Sequence, residues 1–351
     1  MDFTKTTMIT MADIAKKAGV SRSTTSFVLN DRQTGVRISD ETRRRVLDAA
    51  RDLGYQRNEL ARAVVTGRNF VLGYLKDDVS EQDARILDGV LKEASEAGYL
   101  TKVLSPGDHP SAADITRRCV EQRLAGLIIR RFEPREIKEL CTSLAAYGIP
   151  LVLVDDNLVM PDSSYVTSDD AQGCRLAVEH LIELGHKRIA YIDGDPIYPQ
   201  TQLRQETYRR VMSEHDLPVS DASILDSGWN WERIAQLTRQ TFQGDPPYPT
   251  AIFCDGDALA AIAIRTLRRM GLRVPEDVSV VGYGGFSFAA LLDPPITTVA
   301  QPFEGIGRAA VRHLLHYIRE KEEHSDASGH NPAELLATQL ILGESTAPPA
   351  D

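Results

Sequence analysis

Short apolar runs alternate with amphipathic segments along the chain from residue 70 onward. The apolar runs are predicted strands, and the first four cover residues 70–75, 100–104, 126–129 and 150–154. Apolar positions with helical spacing predict helices over residues 84–97, 115–122 and 137–147. Strands that alternate with helices in this way form a parallel sheet covered on both faces.

The same alternation restarts after Asp169. It predicts helices over residues 173–184, 203–214, 231–241 and 258–270, and strands over 188–192, near 224, and over 251–254, 278–282 and 340–342. The sequence therefore predicts an α/β body with two doubly wound parallel-sheet lobes. Open α/β sheets bind ligands at the carboxyl ends of their strands, so the predicted ligand site is the cleft between the lobes.

The first part of the chain follows a different, all-helical pattern. Residues 10–30 read TMADIAKKAGVSRSTTSFVLN, which predicts two short helices on either side of Gly19. Thr10 and Asp13 have the spacing of a capping box, and Ser21 is a favourable cap for the second helix. We interpret the segment as a helix-turn-helix whose second helix lies in the major groove of DNA. An ordinary helical hairpin is the alternative.

Several motifs occur in a fixed order from residue 9 to residue 347. They are AKKAGVSRSTTSFVLN at 15–30, ISDETR at 38–43, EHLIELGH at 179–186, VPEDVSVVGY at 274–283, TTVAQP at 297–302 and EST at 344–346. This ordered set resembles the LacI/GalR family of bacterial transcription regulators. The resemblance implies a helix-turn-helix head followed by a body of the periplasmic-binding-protein type I fold.

The resemblance also implies a domain plan. We expect a DNA-binding head over 1–56, a hinge helix and linker over 57–69, and an effector-binding and dimerisation body over 70–347. The first lobe would span about 70–167 plus 302–325, and the second about 168–300 plus 330–347. Three crossovers between the lobes are then expected near 166–168, 300–302 and 324–332.

Charge is distributed unevenly along the chain. The net charge of −10 argues by itself against a nucleic-acid partner. Residues 1–68, however, hold 13 Lys and Arg against 8 Asp and Glu, a net charge of +5, whereas the rest of the chain carries −15. We therefore expect only the head to contact DNA phosphates.

Other features exclude several classes of protein. The four cysteines are far apart, which predicts reduced, buried thiols rather than a disulfide framework or a metal site. No signal peptide and no run of 18 apolar residues is evident, so the sequence predicts a cytoplasmic protein. No cofactor and no metal are predicted.

Charged and aromatic residues mark the predicted effector site. Asp77 and Asp155 follow strands of the first lobe, as does Arg130, although an aspartate in this position is also a common turn or cap residue. In the second lobe, the resemblance assigns Arg204, Trp229 and Asp257 to the effector. Arg204 is predicted at a helix start, where its charge is unfavourable with the helix dipole and where an anionic or polyhydroxyl ligand would give it a role. Trp229 has core packing as its alternative.

Some expected partners of sugar hydroxyls are missing. The family's Asn before Asp257 is Gly256 here, and the acid after Tyr283 is replaced by a pair of glycines. The family's Asn-Pro-Phe-Phe after the first strand is replaced by SEQDA at residues 80–84. Because this change introduces Asp83 beside other charged groups, the predicted effector is a sugar or a sugar derivative that can carry charge.

The resemblance assigns DNA-contacting residues to the head. Arg22 and Ser23 open the recognition helix, and arginine is a bidentate reader of guanine. Phe27 either contacts a thymine methyl group or packs in the head's own core. The residues expected to contact phosphates or to cap helices are Thr10, Ser21, Thr24, Ser26 and Asn30.

The hinge differs from the family pattern PNxxARxL. Here residues 57–64 read RNELARAV, with Arg57 in place of the proline and Val64 in place of the leucine that wedges a base step. Asn58 and Arg62 match the pattern. We expect all four residues to contact DNA, either with weaker bending of the operator or with Arg57 compensating through a phosphate contact.

The predicted function is a sequence-specific DNA-binding regulator, most simply a repressor controlled by a small-molecule effector. Its predicted partners are palindromic double-stranded operator DNA, a sugar or sugar-derived effector, and a second copy of the chain. An enzyme or a carrier on the same body is the alternative. The sequence has no GxSxG, HExxH or P-loop motif and no GxGxxG after a strand, which argues against an enzyme.

Overall fold

The computed structural model describes residues 9–29, 38–55, 69–76, 80–105, 111–130, 134–155, 163–243, 247–323 and 333–350. The chain divides into two compact units, Met1–Phe70 and Val71–Asp351, which we call the head and the body.

The described head contains three helices: α1 (Met11–Ala18), α2 (Arg22–Leu29) and α3 (Asp40–Asp52). Thr10 and Asp13 form the predicted capping box, and Gly19 ends α1 with a φ of 65°. This left-handed conformation is readily adopted by glycine and turns the chain sharply into α2. Small and branched apolar residues of all three helices form one core: Ile14, Ala18, Val28, Val46, Ala49 and Ala50.

The described body contains twelve strands, eight α-helices and two short 3-10 helices, Asp221–Ser223 and Ser287–Leu291. The strands are β1 (Val71–Leu75), β2 (Leu100–Leu104), β3 (Gly126–Ile129), β4 (Leu151–Val154), β5 (Ser163–Ser168), β6 (Ile189–Asp193), β7 (Ile224–Asp226), β8 (Ala251–Cys254), β9 (Ser279–Gly284), β10 (Thr297–Ala300), β11 (Ala333–Leu336) and β12 (Gln339–Ile341). The helices are α4 (Glu81–Glu96), α5 (Ala112–Glu121), α6 (Pro134–Ala145), α7 (Asp170–Glu183), α8 (Pro199–Glu214), α9 (Trp231–Gln243), α10 (Asp257–Arg269) and α11 (Phe303–Glu323).

The body strands form two six-stranded sheets, as the alternating pattern predicts. The order is β11-β5-β4-β3-β1-β2 in the first lobe and β12-β10-β9-β8-β6-β7 in the second. All pairs are parallel except β10 with β12, which is antiparallel. The inner strands β3, β4, β8 and β9 are buried throughout, as parallel strands covered on both faces require.

Two crossovers lie where they were expected, and the third does not. The first two are bound to each other, since Gln301 Nε2 donates to Ser168 Oγ at 2.6 Å. The third was expected over 324–332, with residues 330–347 in the second lobe. Instead, β11 pairs with β5 in the first sheet, so the chain crosses at residues 337–338. This short edge strand alternates between exposed and half-buried positions, a pattern easily taken for a loop.

Helix α11 returns to the first lobe and packs closely against α4. A Cβ atom on Gly307 would lie 2.0 Å from the carbonyl oxygen of Ile86, so only glycine allows this approach. The helix begins at the fully buried Phe303, which places that ring in the first-lobe core. Across the described ranges, no helix has both the length and the apolar character needed to span a membrane.

Candidate DNA-reading helix and effector cleft

The start of α2 presents polar side chains to solvent. Arg22 and Ser23 are exposed, whereas Thr25 and Val28 face the head core. Ser21 Oγ accepts a hydrogen bond from the backbone N–H of Thr24 at 3.0 Å, which is the predicted cap. An exposed helix start with a free face is the arrangement that a major-groove reader requires.

Phe27 lies half-buried, one turn after Ser23 on the same helix. The apolar side chains packed on the described head core include Val20, Leu29 and Tyr55, but Phe27 is not one of them. Both of its predicted roles therefore stay predictions. Asn30 and the hinge residues Arg57, Asn58, Arg62 and Val64 lie outside the described residues.

Arg204 is the centre of the cleft on the second-lobe side. It was expected at a helix start, but α8 begins at Pro199, so Arg204 lies in the second turn. Its Nε donates to Asp170 Oδ1 at 3.0 Å, and its Nη1 donates to Asp255 Oδ1 at 2.8 Å. The guanidinium also lies 4.0 Å from the ring centre of Tyr283. Its charge is therefore already offset by two carboxylates, which the sequence analysis did not foresee.

Hydroxyl groups hold those two carboxylates in place. Tyr283 donates to Asp170 at 2.8 Å. Tyr191 and Thr201 donate to the two oxygens of Asp255 at 2.9 and 3.0 Å. Burial raises the pKa of Asp170, and the positive charge of Arg204 opposes this rise. The network is buried and highly connected, so the second-lobe wall is preorganised.

Trp229 lines the cavity above this network. Its φ of 55° is unusual for a residue with a side chain, and such backbone strain is often found at ligand sites. A Cβ on Gly256 would lie 2.5 Å from the indole Cη2. The glycine at the family's Asn position thus makes room for the indole. The ring also packs on the second-lobe core, as the alternative expected, and its contact with an effector stays a prediction.

On the first-lobe side of the cleft, the described residues contribute fewer groups. Asp155, with a φ of 56°, accepts a hydrogen bond from Arg130 Nε at 3.2 Å and another from Gln82 Nε2. Arg130 is only 3% exposed and lies behind Asp155 rather than on the cavity surface. Asp77 lies outside the described residues. Of the predicted first-lobe residues that the structure describes, Asp155 lines the cavity and Arg130 supports it.

Two predicted effector residues face the protein interior instead. The buried Asp83 accepts a hydrogen bond from the Tyr74 hydroxyl at 2.8 Å. Asp257 accepts from the backbone N–H of Phe286 at 2.8 Å and from the Thr298 hydroxyl. Burial raises the pKa of Asp257 to about 6. Both carboxylates stabilise neighbouring segments, and neither lines the cavity.

Several residues that line the cavity were not predicted from the sequence. They are Gln82, Tyr198, Gln200, Thr201, Asp255, Gly256, Tyr283, Phe286 and Gln301. Asp255 directly follows β8, so the rule applied to the first-lobe strands would have found it. Phe286 and Gln200 lie in loops and helix starts that carry no comparable signal.

Comparison with known proteins decides the family. Residues 10–58 match the family model described as bacterial regulatory proteins, lacI family. Residues 178–346 match that of a periplasmic binding protein-like domain. The HTH-type transcriptional repressor PurR of Aliivibrio fischeri (strain MJ11) is 30% identical over 319 residues, which cover 90% of this chain and 93% of that protein. The chain belongs to the lacI family.

Solved structures agree with this assignment. The complex of the transcriptional regulator CelR with cellobiose is 27% identical, with a TM-score of 0.69 over 96% of this chain and 99% of CelR. The lac repressor dimer bound to operator and the anti-inducer ONPF is 24% identical, with a TM-score of 0.72 over 97% and 99% of the two chains. The predicted family and fold class are confirmed. This lacI-family chain is a DNA-binding transcriptional regulator with a ligand-binding body, and the enzyme alternative is wrong.

Proposed function

We propose that this lacI-family protein represses transcription as a homodimer on a palindromic operator, under the control of an uncharged, hydroxyl-rich effector in the cavity. The observation that carries the effector class is the pairing of Arg204 with both Asp170 and Asp255. The repressor assignment is supported by the name of the relative from Aliivibrio fischeri. Helix-turn-helix heads read palindromes as two-fold dimers.

The charges around the cavity disfavour an anionic effector. Arg130 is paired with Asp155, and Arg204 is shared by Asp170 and Asp255. These five buried groups sum to a net charge of −1. A phosphate or carboxylate on the ligand would have to compete with these carboxylates for the guanidinium, and like charges in a poorly solvated site repel strongly. Ligand hydroxyls, in contrast, can donate to Asp155 and Asp255.

The remaining walls fit a sugar ring. Trp229 and Tyr198 offer apolar faces, and Gln82, Gln200 and Gln301 place amides around the same space. A few polar groups among aromatic surfaces fix the orientation of a ligand that is polar at its edge and apolar on its faces. The cellobiose complex of CelR supports this chemistry. We therefore favour a neutral sugar over the charged derivative.

Matched pairs of ligands test the effector class. Thermal unfolding of the full chain is measured with neutral mono- and disaccharides, including cellobiose and glucose, and with their phosphorylated counterparts, such as glucose 6-phosphate. We expect a neutral member to raise the unfolding temperature and its phosphorylated partner to raise it less. Tighter binding of the phosphorylated member of a pair would contradict the proposal.

For the operator, we propose that Arg22 and Ser23 contact base edges and that Phe27 contacts a thymine methyl group. The exposure of the first two and the position of Phe27 outside the head core support this assignment. Thr10, Ser21, Thr24 and Ser26 would lie along the phosphates, with the hydroxyls of Ser21 and Thr24 also bonded to each other at 2.8 Å.

Arg22→Ala should cost about 1–3 kcal/mol of operator binding and relax the preference at one base pair in each half-site. The exposed Lys16 on α1 provides the control, because a phosphate contact should weaken binding to all sequences alike. Binding is measured on the operator, on single-base variants and on random DNA. An equal loss on all three for Arg22→Ala would exclude base reading.

A further inference from the structure

Two departures from the family pattern meet each other across the cleft. One is the segment that replaces Asn-Pro-Phe-Phe at the start of α4, and the other is residues 284–287, which begin at the last residue of β9 and continue into the loop after it. Glu81 of the first lobe accepts hydrogen bonds from the backbone N–H and the hydroxyl of Ser287 in the second, at 2.9 and 2.8 Å. Arg85 Nη1 donates to the carbonyl oxygen of Gly285 at 3.0 Å.

The first-lobe side of this contact is fixed by its own helix. Ser80 caps α4, so Glu81 occupies the first helical position. Arg85 lies one turn later on the same face, with its Nη1 3.9 Å from the Glu81 carboxylate. The Arg85 guanidinium also lies 5.0 Å from the ring centre of the buried Phe303. The Glu81 carboxylate, which accepts from the other lobe, and the Arg85 guanidinium, which donates to it, are therefore held at a fixed spacing.

The second-lobe loop is held by hydrogen bonds within its own lobe. Asp257 accepts the backbone N–H of Phe286, and Thr298 Oγ1 accepts that of Gly285 at 3.3 Å. Gly284 and Gly285 have φ values of 122° and 67°, a path that side chains would oppose. The glycines that replace the family's acid thus let the loop turn toward the first lobe.

Phe286 connects this contact to the effector cavity. Its ring centre lies 5.8 Å from that of Phe303, and the ring packs against the first-lobe core although it belongs to a second-lobe loop. The same ring is one wall of the cavity. If the lobes rotated apart, the ring would leave the first-lobe core and the cavity would lose this wall.

We propose that residues 284–287 form an interlobe latch that seats on Glu81, Arg85 and Phe303 and completes the effector cavity. Glu81 and Arg85 are partly exposed, so their individual contacts are weak and the latch is reversible. A ligand that contacts Phe286 would favour the latched arrangement, because ligands select the state they bind better. The effect on ligand binding rests on the proposed function, whereas the latch itself does not.

The separation of the lobes can be measured without the effector. The four cysteines are buried, so Lys102→Cys on β2 and Asp226→Cys on β7 allow selective dye labelling of the outer edge strands of the two sheets. Single-molecule energy transfer then reports the latched and unlatched populations of the full chain. Glu81→Ala with Arg85→Ala should lower their ratio by about three- to tenfold. Ser287→Ala should produce a smaller shift in the same direction.

Lys92→Ala is the matched control, because it removes exposed ion pairs with Asp88 and Glu304 from the same helix but within the first lobe. It should leave the ratio unchanged. An unchanged ratio in both the double variant and Ser287→Ala, or an equal shift in the control, overturns the latch. Operator binding by the same samples tests the proposed function separately. A failure of the latch can therefore be distinguished from a failure of the proposed function.

Discussion

The two walls of the effector cleft are built differently. The second-lobe wall is a closed network in which Arg204, Asp170 and Asp255 are paired and then bonded to the hydroxyls of Tyr191 and Tyr283. Among the residues that the structure describes, the first-lobe wall presents Asp155, with the buried Arg130 behind it and the half-buried Gln82 beside it.

This difference assigns separate tasks to the two walls. A network whose members are already bonded does not need to reorganise when a ligand arrives, so the second lobe supplies a preformed half-site. The described residues of the first lobe supply fewer fixed groups, so its contribution depends on how closely it approaches. Recognition would then precede closure, and closure would bring Asp155, Gln82 and the seated Phe286 to the ligand.

The largest expected effect comes from removing the cation of the second-lobe wall. Arg204→Ala leaves Asp170 and Asp255 buried without their common partner. Breaking a buried ion pair from one side costs about 3–5 kcal/mol, so the free energy of unfolding should fall by that amount in urea titrations. The variant would therefore lose stability as well as its response to effector.

Arg233→Ala is the control for this loss. Arg233 also forms an ion pair in the second lobe, with Asp226 at 3.0 Å, but both side chains are more than half exposed. Its removal should change the free energy of unfolding far less than Arg204→Ala does. Similar losses for the two variants would mean that the buried network is not preorganised.

A second effect depends on pH. Burial, reinforced by the charge of Asp255, raises the pKa of Asp193 from 3.8 to about 6. The native protein therefore binds more protons than the unfolded chain between about pH 4 and pH 6. The free energy of unfolding therefore falls as the pH rises through that window. Above about pH 6 the full cost of burying the ionised Asp193 is present.

Asp193→Asn should remove this penalty. At 1.4 kcal/mol per pKa unit, the gain in the free energy of unfolding is at most about 3 kcal/mol near pH 7.5 and much smaller near pH 4. Gln205 can still donate to the remaining oxygen, as it does to Asp193 at 2.6 Å. The exposed Asp221 provides the matched control, Asp221→Asn. A gain that is equal at both pH values would contradict the assignment.

The fold was predictable because its signals are local. The predicted body strands are short apolar runs, and the turn at Gly19 and the caps at Thr10 and Ser21 depend on residues within a few positions. Strands β5 and β10 were not predicted, because they are rich in serine and threonine although they are mostly buried. Strand β11 was not predicted, because this edge strand has a solvent-exposed side and no continuous apolar run. The crossover was then placed in the polar stretch before it.

The site was predictable only in part, because side-chain partners come from distant segments. Arg204 and Asp155 were found, since helix and strand positions suggest which side chains reach a cleft. The partner of Arg204 at Asp170 lies 34 residues away and that at Asp255 lies 51 residues away, and local sequence carries no record of such pairs. Asp83 and Asp257 were assigned to the cavity wrongly for the same reason, because the sequence does not show their hydrogen-bond partners in the protein interior.

The smallest effect compares one hydrogen bond from each wall. Thr201→Val removes the hydroxyl that donates to Asp255, and Thr201 is only 2% exposed. Gln82→Ala removes the amide that donates to Asp155 from a half-buried position. A hydrogen bond to a buried charged group contributes about 1.5–3 kcal/mol, whereas a partly solvated donor can be replaced by water. Thr201→Val should therefore lower the free energy of unfolding by more than Gln82→Ala does, while Gln82→Ala should weaken the effector response more than it lowers the free energy of unfolding.

Urea unfolding and effector titration of both variants separate these outcomes. Equal losses of stability at the two positions would mean that the first-lobe wall is as firmly built as the second, and the division of tasks between the lobes would have to be abandoned.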